Sequence, residues 1–411
     1  MSSLRILISA YACEPGKGSE PGRGWFTVTE IARRHQVWVI TRANNRPAIE
    51  KSDITSQLPN LHFVYHDLPG VFLRFKKGAL STEWYYYLWQ LRSAALAQKL
   101  DREVGFDLVH HATFNRYWSP SGLAFVNKPF VWGQVGGAES TPPPLRCTLG
   151  FQGRVLDALR NGVRWIAEKD PLLRLTARRA TIAIGGTPET CERLHHLGAS
   201  HVEMLEGSGL PTADIDRLAQ LPPPPKDVFR LISIGRLISW KAYHLSLRAY
   251  LEANLPNTEY WIVGDGSERK RLEQLAASSP AGRSVRFFGK LSRAETLERL
   301  GQSSALLHPS LHDSAGWAYL EGMATGRPVV CLNIGGGATQ ITDECGIRIA
   351  PADEATVIAA FRDAIVKLAA NPDLVTRLGE KGKQRVREVF DWRVKMNRML
   401  EIYQAALERS R

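Results

Sequence analysis

Short apolar runs recur along the whole chain, and most end in glycine or a polar turn followed by a helix-length segment. In the first half these runs are Leu4–Ala10, Gln36–Thr41, Leu61–His66, Asp107–His111, Lys128–Gly133, Thr181–Gly186 and His201–Leu205. In the second they are Val228–Gly235, Glu259–Gly264, Ser284–Gly289, the ALLHP run ending at Pro309, and Pro328–Leu332. Runs of about four to eight apolar residues alternating with helices predict β-α-β units and parallel sheets, the fold class being α/β. In open parallel sheets ligands bind outside the carboxyl ends of strands, so the loops after these runs carry the candidate chemistry.

A segment rich in proline, EGSGLPTADIDRLAQLPPPPKD, separates the two series. Proline runs cannot continue helices or central strands, which marks a linker. The expected domains are residues 1–206, a linker at 207–227, and a second α/β domain at 228–390. A final helix, 391–411, has no strand to return to. A chain of 411 residues is too long for one ordinary core, so two or three domains are expected.

The most informative loop follows Ala305–Leu307, in the stretch HPSLHDSAGWAYLEGMATGRPVV from His308 to Val330. A polar turn, LHDSAG, leads to a predicted helix from about Trp317 to Thr325, stopped by Gly326 and Pro328. The first turn of such a helix presents unpaired N–H groups and partial positive charge, which suits an anion. Gly316 leaves room for a ligand to approach the backbone. Asp313 precedes the helix. Glu321, four residues after Trp317, shares a face with it and is placed to hold ribose hydroxyls. The competing reading makes Asp313 a helix cap and Glu321 a surface residue.

The first half offers a second strand–glycine loop–helix, ACEPGKGSEPGRGW, with Gly16 and Gly18 before a helix predicted from about Trp25 to Arg34. The spacing is neither the dinucleotide fingerprint nor a Walker loop. The loop is either a phosphate or substrate cradle or a structural turn. His110 and His111 end one strand, and QVGGAESTPPP follows another.

The second half resembles the retaining nucleotide-sugar glycosyltransferases of family four, whose signature is E-x7-E. Here it reads D-S-A-G-W-A-Y-L-E-G-M-A-T-G-R-P-V, with Asp313 for the first acid and Ala315 for the usual Phe. SIGRLISWK resembles G-R-x-x-x-x-K-G, with Ala242 in place of the last Gly. IVGDGSERKRLEQLA and SVRFFGKLSRAE resemble two further family segments, and Lys17-Gly18-Ser19-Glu20 resembles part of its first glycine loop. NIGGGATQ departs from the family's G-G-x-P-E and is expected to be structural.

The resemblance implies a GT-B fold of two Rossmann-like domains facing a cleft, with the last helix crossing back onto the first. It also implies transfer of a sugar, with retention, from a nucleoside diphosphate sugar to a glycan or polyprenyl-linked acceptor. Arg236 and Lys241, after Gly235, would grip the diphosphate. Asp313 would lie near the sugar, and Glu321 would hold the ribose. The backbone of Gly289, Lys290 and Leu291 would read the base, with Ser314, Ala315, Gly316 and Trp317 lining the donor site. His110 or His111 would line the reaction centre, the alternative being hydrogen-bonded core histidines. No cofactor and no metal are implied beyond the donor. Other readings are a nucleotide-sugar epimerase of the same fold, or a basic binding protein on a degenerate glycosyltransferase fold.

The net charge of +12 suits phosphorylated substrates or anionic lipid, while no nucleic-acid-binding motif is present and no nucleic acid partner is expected. Phe72–Leu100 mixes basic and aromatic residues, and 151–180 holds seven basic residues against three acidic ones. These segments are either core with a solvated face or a surface for an anionic membrane. Five scattered cysteines suggest no disulfide framework, and no apolar run reaches the roughly 18 residues of a membrane span. The expected location is the cytoplasm, with the inner face of the cell membrane as a candidate docking place.

Overall fold

The computed structural model describes residues 3–70, 79–114, 116–224 and 226–410. The basic part of the Phe72–Leu100 segment at 72–78 therefore lies outside the described residues, as does Pro225 of the proline run.

The chain forms two compact units. Unit 1 comprises Met1–Ala138, Gly162–Ser208 and Trp392–Arg411; unit 2 comprises Glu139–Asn161 and Gly209–Asp391. Unit 1 holds strands β1 (Arg5–Ser9), β2 (Gln36–Thr41), β3 (Leu61–Tyr65), β4 (Leu108–His111), β5 (Phe130–Val135), β6 (Ile182–Gly185) and β7 (Val202–Met204). They pair in parallel in the order β3-β2-β1-β4-β5-β6-β7. Unit 2 holds β8 (Phe229–Ile234), β9 (Thr258–Val263), β10 (Val285–Gly289), β11 (Ala305–His308), β12 (Val329–Leu332) and β13 (Gly346–Ile349). Its order is β10-β9-β8-β11-β12-β13, again parallel throughout.

Alternation along the strands sends neighbouring residues to opposite faces, and each sheet is covered on both. In unit 1, Ile6 and Ile8 join one core cluster while Leu7 joins the other. In unit 2, Leu231, Ile262 and Leu307 face one cluster, and Ile232, Val263 and Leu306 face the other. Strand order reverses between β1 and β4 in unit 1, and between β8 and β11 in unit 2. Those switch points leave an opening at the carboxyl ends of the strands that no crossover covers.

The last helix, Trp392–Arg409, packs in unit 1, where Trp392, Met396, Met399 and Tyr403 share a core with Ile6 and Val28. The segment expected as a linker contains a helix, Thr212–Ala219, whose Ile215 and Leu218 are buried in unit 2. An apolar pair at i and i+3 gives that short helix one buried face, and after it Leu221 packs on the same core and the Pro222 carbonyl accepts from Arg327, so the expected linker is part of unit 2 from Gly209 on. Glu139–Asn161, sequentially inside the first half, clusters with unit 2. The first helix begins at Ser19, not near Trp25: Pro21 and Gly22 sit in its first turn, where proline is tolerated. Strand β13, GIRI, has only four residues and was not recognisable as an apolar run because Arg348 interrupts it.

Two backbone details shape the loops after β8 and β9. Gly235 and Gly264 both have positive φ, +147° and +140°. A Cβ on Gly264 would lie 1.9 Å from the Gly235 carbonyl oxygen, so the two loop starts meet backbone to backbone. Ala242 has φ +49° at the start of helix Tyr243–Ala253. This is the position where the resembled family carries glycine, and the left-handed conformation explains why. Gly264→Ala is expected to destabilise the protein by about 2 kcal/mol or more, read from the denaturant midpoint. Ala242→Gly is expected to do the reverse, raising stability by about 1 kcal/mol in the same measurement.

Candidate functional site

The loops leaving β8 and β11 meet at the switch point of unit 2. After β8, a short 3-10 turn, Ser239–Lys241, delivers the Lys241 side chain. After β11, His308 closes the strand and Asp313 follows in the turn. The loops are tied by the Leu311 N–H, which donates to the Trp240 carbonyl at 2.8 Å.

At the centre is a three-membered cluster. Lys241 Nζ donates to Asp313 Oδ2 at 2.6 Å, and His308 Nε2 approaches the same oxygen at 2.6 Å. Burial by itself would raise the Asp313 carboxyl, but the Lys241 charge and the bonds from His308 and Lys241 outweigh it and hold it well below the ordinary carboxylate range. His308 is lowered too: burial and the Lys241 charge outweigh the upward pull of Asp313. The imidazole is thus neutral with its proton on Nε2 facing the carboxylate. Its Nδ1 is buried with no hydrogen-bond partner among the described residues.

A second ring of contacts fixes the turn. Ser314 Oγ donates to Glu139 Oε2 at 2.7 Å. The Gly336 N–H donates to the Asp313 carbonyl at 2.5 Å, so the NIGGGATQ loop, expected to be purely structural, holds the backbone of the site. His312 contacts Thr141 Oγ1 and Arg160, and lies 3.2 Å from Asp157.

The helix after the turn runs Trp317–Ala324, and its N-cap, Gly316, has no side-chain cap. Asp313 is therefore not a cap. A Cβ on Gly316 would stand 2.5 Å from the Tyr319 ring, so the absent side chain makes room for that ring rather than for open approach from outside. Glu321 is 9% exposed and Trp317 half-buried. The Glu321 carboxylate accepts from Arg293 Nε and Nη2, each at 3.3 Å, and Arg293 also donates to Asp214 at 3.1 Å. Burial raises the Glu321 carboxyl despite the opposing Arg293 charge. Sequence reasoning missed Arg293 and His308. Arg293 lies 28 residues from Glu321 with no periodic link to it, and His308 reads as the last core residue of a strand.

The other expected positions fall as follows. The Arg236 side chain is exposed after Gly235. Gly289 ends β10 with φ +69°, Lys290 is exposed and Leu291 half-buried. Ala315 is half-buried in the turn. In unit 1, Gly16 and Gly18 lie exposed in the loop before the first helix, with Gly16 at φ +69°. His110 is buried, with Nε2 at 2.5 Å from the Gly133 carbonyl and Nδ1 at 2.6 Å from Tyr403 Oη. His111 is buried beside Ser121 Oγ at 2.9 Å and Tyr86 Oη at 3.3 Å. Burial lowers both, to about 4 and about 3, so both are neutral near pH 7. Among the described residues, no three His, Cys, Asp or Glu side chains group to hold a metal ion.

Residues 214–385 match the family described as glycosyl transferases group 1. A glycogen synthase from Mycobacterium tuberculosis is 32% identical over 179 residues, 43% of this chain and 42% of that protein. The chain thus spans less than half the length of that relative. A D-inositol 3-phosphate glycosyltransferase from Thermomonospora curvata is 26% identical over 96% of this chain and 92% of its own length. Among solved structures, a glycosyltransferase from Rickettsia africae superposes with TM-score 0.66 at 17% identity, covering 99% of this chain and 100% of that one. Anabaena HepE in complex with UDP gives 0.62 at 16% identity, covering 98% and 100%. The fold is accordingly GT-B, two Rossmann-like α/β domains, and the C-terminal domain is similar in sequence to the group 1 glycosyl transferases.

Proposed function

We propose that this chain is a retaining glycosyltransferase that takes a sugar from a nucleoside diphosphate sugar and passes it to a glycan or lipid-linked acceptor, working at the inner face of the cell membrane. The observation that carries the reading is the Lys241–Asp313–His308 cluster at the switch point of the domain that matches the group 1 glycosyl transferases. A nucleotide-sugar donor is supported by the UDP held in Anabaena HepE, which makes UDP the first nucleotide to test.

Each role follows from chemistry. Departure of the nucleoside diphosphate develops negative charge on the leaving oxygen, and fixed cations in a sheltered site stabilise it. Lys241 supplies a point charge held by Asp313, and the exposed Arg236 fork supplies a planar one. N–H groups at the start of helix Trp317–Ala324 add donors toward the same phosphates. Glu321, oriented by Arg293, accepts hydrogen bonds from ribose hydroxyls. Gly289 ends β10 and Lys290 and Leu291 follow it, where backbone atoms would meet the base.

In the reaction the C1–oxygen bond to the diphosphate breaks and its electron pair leaves with the diphosphate. The acceptor oxygen bonds to C1 on the same face, and its proton passes to the leaving phosphate oxygen. Asp313 has its carboxyl held ionised by Lys241 and His308, so it serves as a fixed anion and not as a proton donor. No cofactor or metal is assigned a role in this scheme.

Lys241→Ala should slow sugar transfer by about a hundredfold or more with the circular dichroism unchanged. Turnover equal to the parent would remove Lys241 from the diphosphate site. Glu321→Ala should weaken UDP binding by about tenfold to a hundredfold, read as a smaller thermal shift across a UDP titration. An unaltered UDP affinity would remove the ribose contact from the scheme.

A further inference from the structure

Helix Gly150–Ala167 is anchored along one face and bare along the other. On the anchored face Gly153 packs against Ser239, Asp157 meets His312, and Arg164 donates to the Gly137 carbonyl at 2.8 Å. On the bare face Phe151, Val155, Leu159, Val163 and Ile166 follow helical spacing and form one apolar stripe. Phe151 is 75%, Leu159 61% and Ile166 65% exposed, with Leu156 and Trp165 exposed on the flanks. An apolar stripe of this length on one helix loses hydration free energy by leaving water and marks an interaction surface.

Charge decides what that surface meets. All three carboxylates of residues 151–180 are engaged within the fold. Asp157 accepts from Thr141 at 3.2 Å, Glu168 from Tyr117 at 2.7 Å, and Asp170 from Tyr87 at 2.9 Å. Arg154, Lys169 and Arg174 stay exposed, and the Lys169 ammonium lies 4.2 Å from the centre of the Trp165 ring. The helix therefore shows solvent an apolar stripe, an exposed tryptophan at its edge and positive charge beside it. A second copy of the chain on the same stripe would bring these like charges together. A bilayer with anionic headgroups satisfies both features, since acyl chains accept the stripe and headgroups pair with the cations.

We propose that helix Gly150–Ala167 lies in the surface of an anionic membrane, with Phe151, Leu159 and Ile166 entering the acyl boundary and Arg154 and Lys169 meeting lipid phosphates. The inner face of the same helix carries Asp157 and Arg160 to His312, the residue before Asp313. Docking would thus tie the membrane-bound helix directly to the turn that carries Asp313. The proposal rests on the membrane-side reading above only for its purpose, because vesicle binding is measured without any transfer assay.

The test is flotation with vesicles of phosphatidylcholine alone and of equal parts phosphatidylcholine and phosphatidylglycerol. The parent protein should bind the anionic vesicles at least about tenfold more tightly than the neutral ones, and less tightly as salt rises. Phe151→Glu, Leu159→Glu and Ile166→Glu together should reduce that binding by about tenfold or more. The melting temperature and the UDP-induced shift should stay at parent values, because these side chains are in water. Arg154→Glu with Lys169→Glu should remove the preference for anionic lipid. A parent protein that stays with neither vesicle, or a triple variant that floats as the parent does, overturns the proposal. So does a concentration-dependent dimer in analytical ultracentrifugation that the triple variant abolishes, which would assign the stripe to a second copy.

Discussion

The Asp313 carboxylate is the point on which the site of unit 2 turns. One of its oxygens is shared by Lys241 from the loop after β8 and by His308 at the end of β11, both at 2.6 Å. Side-chain exposures of 15% for Lys241 and 17% for Asp313 make this a largely sheltered ion pair. Such pairs repay their desolvation only when hydrogen bonds complete them, and leaving one partner alone typically costs about 3–5 kcal/mol. Here His308 adds the completing bond, and the Gly336 N–H fixes the Asp313 backbone. The arrangement keeps a lysine ammonium in place before any ligand arrives. A cation whose position is already set needs no reorganisation as charge develops, which is where preorganised electrostatics gain their advantage.

The pair depends on the turns after β8 and β11 being held close together. The aspartate side chain is short, and it meets Lys241 Nζ at 2.6 Å. Leu311 N–H is bonded to the Trp240 carbonyl, drawing the turn after β11 toward the turn after β8. Ala242 at φ +49° is the matching concession on the other side: a strained residue held by the surrounding backbone just after Lys241.

Much of the fold was legible because its signal is local. An apolar run with β-branched residues bounded by glycine reads as a buried strand, and twelve such runs match every strand but β13 among the described residues. The failures were also local in origin. Arg348 in β13 breaks the apolar pattern, and the helix at Thr212–Ala219 was hidden by its proline-rich neighbourhood. The site was legible in part: spacing along one loop or helix picks out Lys241, Asp313 and Glu321, and Lys241 and Asp313 do share a hydrogen bond, whereas Gly316 makes room for the Tyr319 ring. It was not legible where partners converge from separate elements. Arg293 reaches Glu321 from a different helix, Glu139 reaches Ser314 across 175 residues, and no periodicity records either contact.

The two carboxylates of the D-x7-E stretch are shifted in opposite directions, Asp313 down and Glu321 up. Asp313 faces a lysine and a histidine N–H that overcome burial, so it stays charged. Glu321 faces one arginine that is itself shared with Asp214, and burial prevails, so its carboxyl is raised. A permanently charged group is suited to holding a cation in place. A carboxylate with a raised pKa and a shared counter-charge is less fully neutralised, and hydroxyl donors from a ligand would stabilise its ionised form. Binding of such a ligand would therefore be linked to ionisation of Glu321 and would pull its pKa down. In the proposed scheme this assigns the ribose to Glu321 and the diphosphate to the cation that Asp313 holds.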